Sequence, residues 1–295
     1  MDITSFVLGM KVGKSSGGSG GGSGGGTLPP GVYVTPNTEI KQSTSYIHQR
    51  FKYNGSIYEA KGTVHNAGYA MEIVKWNGSA WETVMSSTAS NGWNGFTPFE
   101  VGSGVEYNGK LHVISSNGKN HGSFDLVNGT HELVSTLPKT KDGGGVWVLD
   151  GVLYTYLYGD YGVYAFDDST ATWNLAYTLS SLPDKYAYMR QVGDEVYIYS
   201  YKFPNGYFYR LNGTTAELLG SVNGSYSSSV VINGEIWAYP YKYNPVTRTE
   251  TQYPSLFSGM MYWDIGTNEL AGNLQTRNGT SSYYAPAVKV HIIEE

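Results

Sequence analysis

Cysteine is absent from this chain of 295 residues. Structural disulfides, thiolate metal sites and cysteine nucleophiles are therefore excluded. Charge is also scarce, because charged residues make up only 15% of the sequence and the formal net charge is −5. No run of basic residues occurs, so binding of nucleic acid through neutralisation of its phosphates is not expected.

Long apolar runs are also missing. No stretch approaches the roughly 20 residues that a membrane-spanning helix needs. Asp2 stands where a secretory signal would carry positive charge, and no long apolar core follows it, so the sequence predicts neither a membrane span nor a signal peptide.

The residue patterns of common catalytic sites are lacking too. The six histidines show no metal-ligand spacing, and there is no phosphate-binding loop or serine-nucleophile motif. The acidic residues outside the turns, Glu100, Asp142, Asp160 and Asp184, are interpreted as solvated loop residues rather than a catalytic pair. The chain is therefore expected to be no enzyme and to need no metal or other cofactor.

What the sequence does contain is a repeat rich in tyrosine, glycine and turn dipeptides. Residues 190–219 show it most clearly, as four short segments of alternating apolar and polar residues. Two of the three connections are the tight turns Gly193-Asp194 and Asn212-Gly213, whose residues tolerate the positive φ of a two-residue hairpin. Alternation between such turns predicts four antiparallel strands.

The same unit occurs five times. Its first turn falls at Asn54-Gly55, Asn108-Gly109, Asp150-Gly151, Gly193-Asp194 and Asn233-Gly234. Its second turn is predicted at Asn77-Gly78, Asn128-Gly129, Asp168-Ser169, Asn212-Gly213 and around Gly266-Thr267. A period of about 40 residues with four strands per unit predicts an all-β fold, the β-propeller.

The number of blades depends on how the ring closes. The tail from Ser281 resembles the opening of a unit, and the strand predicted at 31–35 belongs to no unit. If these two segments build one blade together, the propeller has six blades with one composite. This arrangement is favoured, and five blades with an added terminal strand are the alternative.

The sequence divides into three parts. In residues 1–13, Ile3, Phe6, Val7 and Met10 follow the spacing of one helical face and predict a docking peptide, with a terminus of chance periodicity as the alternative. Residues 14–27 are a flexible Gly/Ser-rich linker by composition. The run resembles an engineered spacer, but the methionine-started segment before it matches no purification tag, which favours a natural tether. Residues 28–295 are the predicted propeller.

The repeating unit resembles the kelch repeat, most clearly in the third unit. There Val148-Leu149-Asp150-Gly151-Val152-Leu153-Tyr154 is followed by Val163-Tyr164-Ala165-Phe166-Asp167, then by Thr172-Trp173-Asn174-Leu175 and a close at Leu182-Pro183. The family's usual Gly-Gly at the end of the second strand is absent, so the resemblance is to the kelch-like propeller architecture. A propeller by itself does not specify a function.

The first ten residues, Met1 to Met10, followed by a glycine-rich run, resemble the start of tail-associated proteins of phages. The resemblance implies a virion protein that is made in the bacterial host cytoplasm and docks on other virion proteins through its N-terminal segment.

The predicted binding surface lies on the longer connections. In a propeller, the second-to-third-strand loops and the links between units lie on one face, and here they are irregular while the other turns are tight. They carry aromatic residues suited to sugar rings or to a protein partner: Trp93, Phe96, Tyr158, Tyr161, Tyr186, Tyr201, Phe203, Tyr241, Tyr243 and Tyr253. The sequence thus predicts a non-enzymatic virion protein that binds host-surface glycan or a neighbouring virion protein. A carbohydrate-active enzyme and a kelch-type interaction adaptor are the alternatives.

Overall fold

The described part of the chain is built from β-strands alone. The structure, a computed structural model, describes residues 31–36, 47–62, 71–87, 96, 101, 104–115, 120–138, 143–157, 161–179, 181–182, 186–202, 204–226, 229–232, 234–238, 241–252, 261–264, 270–273 and 287–293. Within these ranges, 24 strands, numbered β1 to β24 in chain order, form four-stranded antiparallel sheets. The prediction of an all-β propeller with four-stranded blades is confirmed.

Five blades each consist of four consecutive strands. Blade 1 contains β2 (Ile47–Tyr53), β3 (Ser56–Gly62), β4 (Met71–Trp76) and β5 (Trp81–Ser86). Blade 2 contains β6 (Val105–Tyr107), β7 (Lys110–Ile114), β8 (Asn120–Asp125) and β9 (Thr130–Thr136). Blade 3 contains β10 (Gly143–Leu149), β11 (Val152–Leu157), β12 (Gly162–Asp167) and β13 (Thr172–Thr178). Blade 4 contains β14 (Ala187–Val192), β15 (Glu195–Lys202), β16 (Asn205–Asn212) and β17 (Thr215–Val222). Blade 5 contains β18 (Val230–Ile232), β19 (Glu235–Ala238), β20 (Tyr241–Asn244) and β21 (Thr249–Gln252).

A further four-stranded sheet combines strands from both ends of the described chain. Its members are β1 (Gly31–Pro36), β22 (Met261–Asp264), β23 (Leu270–Asn273) and β24 (Ala287–Ile293), in the order β1-β24-β23-β22. β1 pairs antiparallel with β24 from Gly31 opposite Ile293 to Pro36 opposite Val288, which confirms the predicted pairing of these segments. β22 lies next to the first strands of blades 1 and 5, so the composite sheet stands between those two blades.

The fifth unit differs from its predicted layout. Its second turn was expected around residues 266–267, but the third and fourth strands of blade 5 are joined at 245–248, and the strands after them belong to the composite sheet. The turn carries no Asn-Gly dipeptide. Instead, Arg248 adopts φ +60°, and the Asn244 side chain accepts hydrogen bonds from the backbone N–H groups of Val246 and Thr247, each at 3.0 Å.

The first turn of each unit has the backbone that its residues predict. Asn54 and Gly55 both have positive φ, 44° and 70°, and Asn108-Gly109 and Asp150-Gly151 behave alike. At Gly193-Asp194 only the glycine has positive φ, 60°, as a hairpin with glycine in the first turn position requires. These turns match the twist of the strands and fix the register of the first hairpin in each blade.

The turns between third and fourth strands rely on an Asx side chain in blades 1, 2, 3 and 5. Asp167 Oδ1 accepts a hydrogen bond from the Ser169 backbone N–H at 2.9 Å, and Asn77 and Asp125 hold their own turns in the same way. In blades 2 and 3 the last turn residue takes positive φ, at Gly129 (65°) and Ala171 (52°), whereas in blade 1 positive φ falls on Gly78 (98°), directly after Asn77. The left-handed conformation is unfavourable for alanine, because its Cβ atom crowds the backbone, and it is not unfavourable for glycine.

Replacing Ala171 with glycine is therefore expected to stabilise the propeller by about 0.5–1 kcal/mol. Ala171 is exposed, so the substitution removes no packing. The free energy of unfolding in urea measures the gain. Thr170→Gly is the matched control, since Thr170 has no positive φ and its replacement should bring no gain. Equal behaviour of the two variants would contradict the explanation.

The hydrophobic core lies between neighbouring blades rather than within them. One buried cluster joins blades 1 and 2, the next joins blades 2 and 3, and others join blades 3 and 4 and blades 4 and 5. Both faces of a blade are therefore buried. In β11, for example, Leu153 packs toward blade 2 while Tyr156 packs toward blade 4, which explains why the second strands are apolar almost throughout.

Side chains also bridge the inner strands of adjacent blades. The amide of Gln191 donates to the Val148 carbonyl at 2.6 Å and accepts from the Val148 N–H at 3.1 Å, so it satisfies both backbone groups of one residue in β10. Between blades 1 and 2, the hydroxyl of Tyr53 donates to the Gly109 carbonyl at 2.6 Å. Between blades 2 and 3, the hydroxyl of Tyr107 donates to Asp168. These bonds fix the angle between neighbouring blades.

Candidate functional site

The order of the strands gives the propeller two different faces. Because neighbouring strands are antiparallel, the first and third connections of every blade lie on one face, here called the turn face. The second connections and the links between blades lie on the other, here called the loop face. Among blades 1 to 5, every first connection has two residues and the third connections have two to four. On the loop face, the second connections of blades 4 and 5 also have only two residues, whereas the links between blades are longer and include 87–104. The longest connections of these five blades therefore lie on the loop face.

Several residues predicted from the sequence lie outside the described ranges. They are Trp93, Tyr158, Phe203 and Tyr253 of the binding set, Ile3, Phe6, Val7 and Met10 of the docking set, and the loop acids Glu100, Asp142, Asp160 and Asp184.

Two other members of the predicted binding set are core residues. Phe96 is 2% exposed and packs edge-on against Phe124 at 5.8 Å, over Gly122, which has no side chain to displace the ring. Tyr243 is 1% exposed and stacks on Phe208 at 4.2 Å. It lies inside β20 rather than in a loop. Neither side chain belongs to an exposed binding surface, and the prediction is corrected for both.

Tyr161 and Tyr241 are half-buried at the loop face. Tyr161 precedes β12 and has φ +55°, and its carbonyl accepts a hydrogen bond from the Leu179 N–H at 2.8 Å. Tyr241 begins β20 and packs against the cluster between blades 4 and 5. Both tyrosines are thus partly held by packing and offer only part of their rings to solvent.

Tyr186 and Tyr201 differ from these residues because they are exposed, at 47% and 43%, and among the side chains whose burial the structure describes no other aromatic residue is exposed. They also lie together. The ladder between β14 and β15 ends at Ala187 opposite Ser200, so Tyr186 and Tyr201 face each other one step beyond it. Cβ atoms in such a cross-strand pair are about 5 Å apart. Tyr186 and Tyr201 are called the tyrosine pair below.

No protein-family model matches this sequence, and no curated protein matches it significantly.

The tyrosine pair continues a series of packed tyrosines. Side chains alternate along β15, so Tyr197, Tyr199 and Tyr201 share one side of the strand. Tyr197 and Tyr199 are buried at 3% and 1%, and Tyr188 of β14 lies 6.3 Å from the Tyr199 ring. The exposed pair therefore lies at the end of a row of tyrosines whose other members, Tyr197 and Tyr199, are buried.

The link from blade 4 to blade 5 is fixed beside this stack. Glu250 of β21 accepts hydrogen bonds from the N–H groups of Asn223 at 2.8 Å and Gly224 at 2.9 Å, and from the Tyr226 hydroxyl at 3.1 Å. Tyr199 donates to the Gly224 carbonyl at 3.2 Å. A Cβ atom on Gly224 would lie 2.8 Å from atoms of two tyrosine rings, so glycine is required there.

The hydroxyls of Tyr199 and Tyr226 stay protonated. Burial raises the pKa of Tyr199, and burial together with the Glu250 carboxylate raises the pKa of Tyr226. Each of these two hydroxyls therefore donates its proton to the oxygen that faces it, the Gly224 carbonyl for Tyr199 and the Glu250 carboxylate for Tyr226. They hold the link between blades 4 and 5 in a fixed shape.

Other site types find no support among the described residues. No group of three or more His, Asp or Glu side chains is arranged to hold a metal ion in those ranges. In the same part of the chain, no helix is long and apolar enough to cross a bilayer. The described exposed neighbours of the tyrosine pair include the polar Lys202 and Asn205, which lie opposite each other at the ends of β15 and β16, and Pro204 between them.

Sequence reasoning named both tyrosines but not what sets them apart. They stood in a set of ten aromatic residues, and only the structure separates the exposed pair from core residues such as Phe96 and Tyr243. The alternating run from Tyr197 to Tyr201 was the available signal, because it places three tyrosines on one side of a strand.

Proposed function

We propose that this chain is a non-enzymatic virion protein of a phage, whose propeller binds host-surface glycan or a neighbouring virion protein through the loop face. The observation that carries the proposal is the asymmetry of the ring, with turns of two to four residues on one face and the longer links between blades on the other. Variable loops on a rigid scaffold are the usual place for binding residues.

Further features support the proposal. Tyr186 and Tyr201, the exposed aromatic residues, lie on the loop face. The N-terminal segment resembles that of phage tail-associated proteins, and the propeller resembles kelch-like propellers that serve in binding. A Gly/Ser-rich linker between the segment at 1–13 and the propeller would let the propeller reach outward while its anchor stays docked.

Deleting residues 2–13 is expected to abolish incorporation of the protein into particles without unfolding the propeller. The proposed reason is that Ile3, Phe6, Val7 and Met10 make the apolar contact with the particle. The measurement is the amount of the protein in purified particles, by immunoblot, from a phage that carries the deletion in its genome. The thermal melting temperature of the purified variant checks the fold.

The matched control removes residues 15–26 instead, which shortens the linker and keeps the docking segment. This variant should still be incorporated. Incorporation that survives the first deletion would contradict the docking role. Hydrolysis of a bound glycan by the purified protein would contradict the non-enzymatic part of the proposal and favour the carbohydrate-active enzyme.

A further inference from the structure

We propose that Tyr186 and Tyr201 form a stacking subsite for one pyranose ring of a glycan. This inference rests on the proposed function and names the ligand class of the loop face. The starting observation is that two exposed aromatic residues occupy opposite positions at the same end of blade 4, one step beyond the pair Ala187 and Ser200.

The tyrosine pair is held in position by the buried residues next to it in the chain. Ala187 and Ser200, the last residues of the ladder, are each 0% exposed and fix the two strands. Tyr199 is locked by its hydrogen bond to Gly224 and by ring contacts with Phe208 at 5.6 Å and Tyr226 at 5.6 Å. A binding surface whose backbone is already ordered loses little conformational entropy when a ligand binds.

The chemistry of the pair suits a sugar. A pyranose ring has a face of C–H groups that carry slight positive charge, and an aromatic ring has a negative face that attracts them. Its hydroxyl groups lie around the rim and need hydrogen-bond partners. The tyrosine hydroxyls, the Lys202 ammonium and the Asn205 amide are the polar groups at this edge of the blade.

The size of the surface favours a sugar over a protein partner. A stable protein interface buries about 800 Å² on each side around an apolar centre. Here two half-exposed tyrosines supply the described exposed aromatic surface, and the described side chains next to them are the exposed polar Lys202 and Asn205 and the small Pro204. A surface of that extent matches one or two sugar rings.

The test is glycan binding by the full chain and four single variants, three at the tyrosine pair and one control. An array of defined pyranose oligosaccharides first selects a ligand for the wild type, and titration calorimetry with that oligosaccharide then gives the dissociation constant. We expect Tyr186→Ala and Tyr201→Ala each to raise Kd at least tenfold. Tyr201→Phe keeps the ring and should change Kd less than about threefold, which separates stacking from hydrogen bonding.

Leu218→Ala is the matched control, because Leu218 is 54% exposed on the outer strand of the same blade and should leave Kd unchanged. Glycan binding that both alanine variants retain would overturn the subsite while leaving the proposed binding function in place. Absence of wild-type binding to every glycan, or loss of a protein partner instead of a glycan in the alanine variants, would also overturn it. The deletion of residues 2–13 tests the virion role separately.

Discussion

Acidification from about pH 7 to about pH 4 is expected to destabilise the propeller by on the order of 5 kcal/mol, because two buried histidines must stay neutral in the folded state. His112 is 6% exposed and His121 is 0% exposed. Their rings share a hydrogen bond of 2.8 Å between His112 Nδ1 and His121 Nε2. One ring nitrogen carries a proton and donates it, and the other has no proton and accepts. Protonation of the accepting nitrogen would break this hydrogen bond.

The surroundings of this pair disfavour a positive charge. His121 lies edge-on to Phe166 at 4.7 Å and to Trp173 at 5.2 Å, so it is enclosed by aromatic rings of blade 3. Burial is the main reason that the pKa of His112 falls to about 4. Burial, together with the neighbouring His112, lowers the pKa of His121 to about 3. Asp168 and Glu132 oppose the shift of His112, and Lys110 adds to it.

The direction of the pH effect follows from these shifts. An unfolded histidine has a pKa of about 6.5, so below that pH the unfolded state binds protons that the folded state does not. The stability that these two neutral histidines contribute is therefore fully present above about pH 6.5, and it is lost as the pH decreases toward their pKa values in the folded state. Each such histidine contributes a slope of about 1.4 kcal/mol per pH unit within this window.

Urea unfolding followed by tryptophan fluorescence at several pH values measures this slope. In the double variant H112L/H121F both rings are replaced by apolar groups. The unfolding free energy should then change with pH less steeply between about pH 6 and pH 4, by up to about 1.4 kcal/mol per pH unit for each histidine removed. His131→Gln is the control, since it removes a less buried histidine and leaves the pair intact. A double variant with the wild-type slope would refute the role of the pair.

The repeat was predictable because its turns depend on local chemistry. Asn54-Gly55 and its counterparts accept positive φ at little cost, so the dipeptide is visible in the sequence wherever the fold needs that turn. The pairing of β1 with β24 was predictable for a related reason. The strand at 31–35 belonged to no unit, the tail resembled the opening of one, and closure of the ring made each the expected partner of the other. The predicted position of the tail within its blade was wrong, because β24 lies between β1 and β23 and β22 is the strand next to the first strands of blades 1 and 5.

Burial was not predictable in the same way, because it depends on which blade covers a residue. Tyr241 and Tyr243 stand two positions apart in one short strand, yet Tyr243 is 1% exposed and Tyr241 is half-buried. The turn at 245–248 was missed because Arg248 takes the left-handed conformation without the glycine that usually marks it. The burial of the two tyrosines is decided by tertiary contacts, whereas the turn at 245–248 is held locally by the Asn244 side chain.

Replacing Phe208 with alanine is expected to destabilise the propeller by about 3–5 kcal/mol, because its ring fills the boundary between blades 4 and 5. Phe208 is 0% exposed. Its ring stacks on Tyr243 at 4.2 Å, meets Tyr226 edge-on at 4.9 Å and lies 5.6 Å from Tyr199. These three tyrosines come from blade 5, the link before it and blade 4, so the alanine variant leaves a cavity at the junction that no single strand can close.

The free energy of unfolding in urea measures this loss, and Tyr243→Phe provides a control at the same boundary. The Tyr243 hydroxyl is buried with no hydrogen-bond partner in the structure, so its removal should be neutral or stabilising while the stacked ring remains. Equal destabilisation by the two variants would show that polar contacts, and not ring packing, hold these blades together. A loss below about 1 kcal/mol for the alanine variant would mean that the boundary collapses around the cavity, and the blades would then be less rigidly joined than their ring contacts indicate.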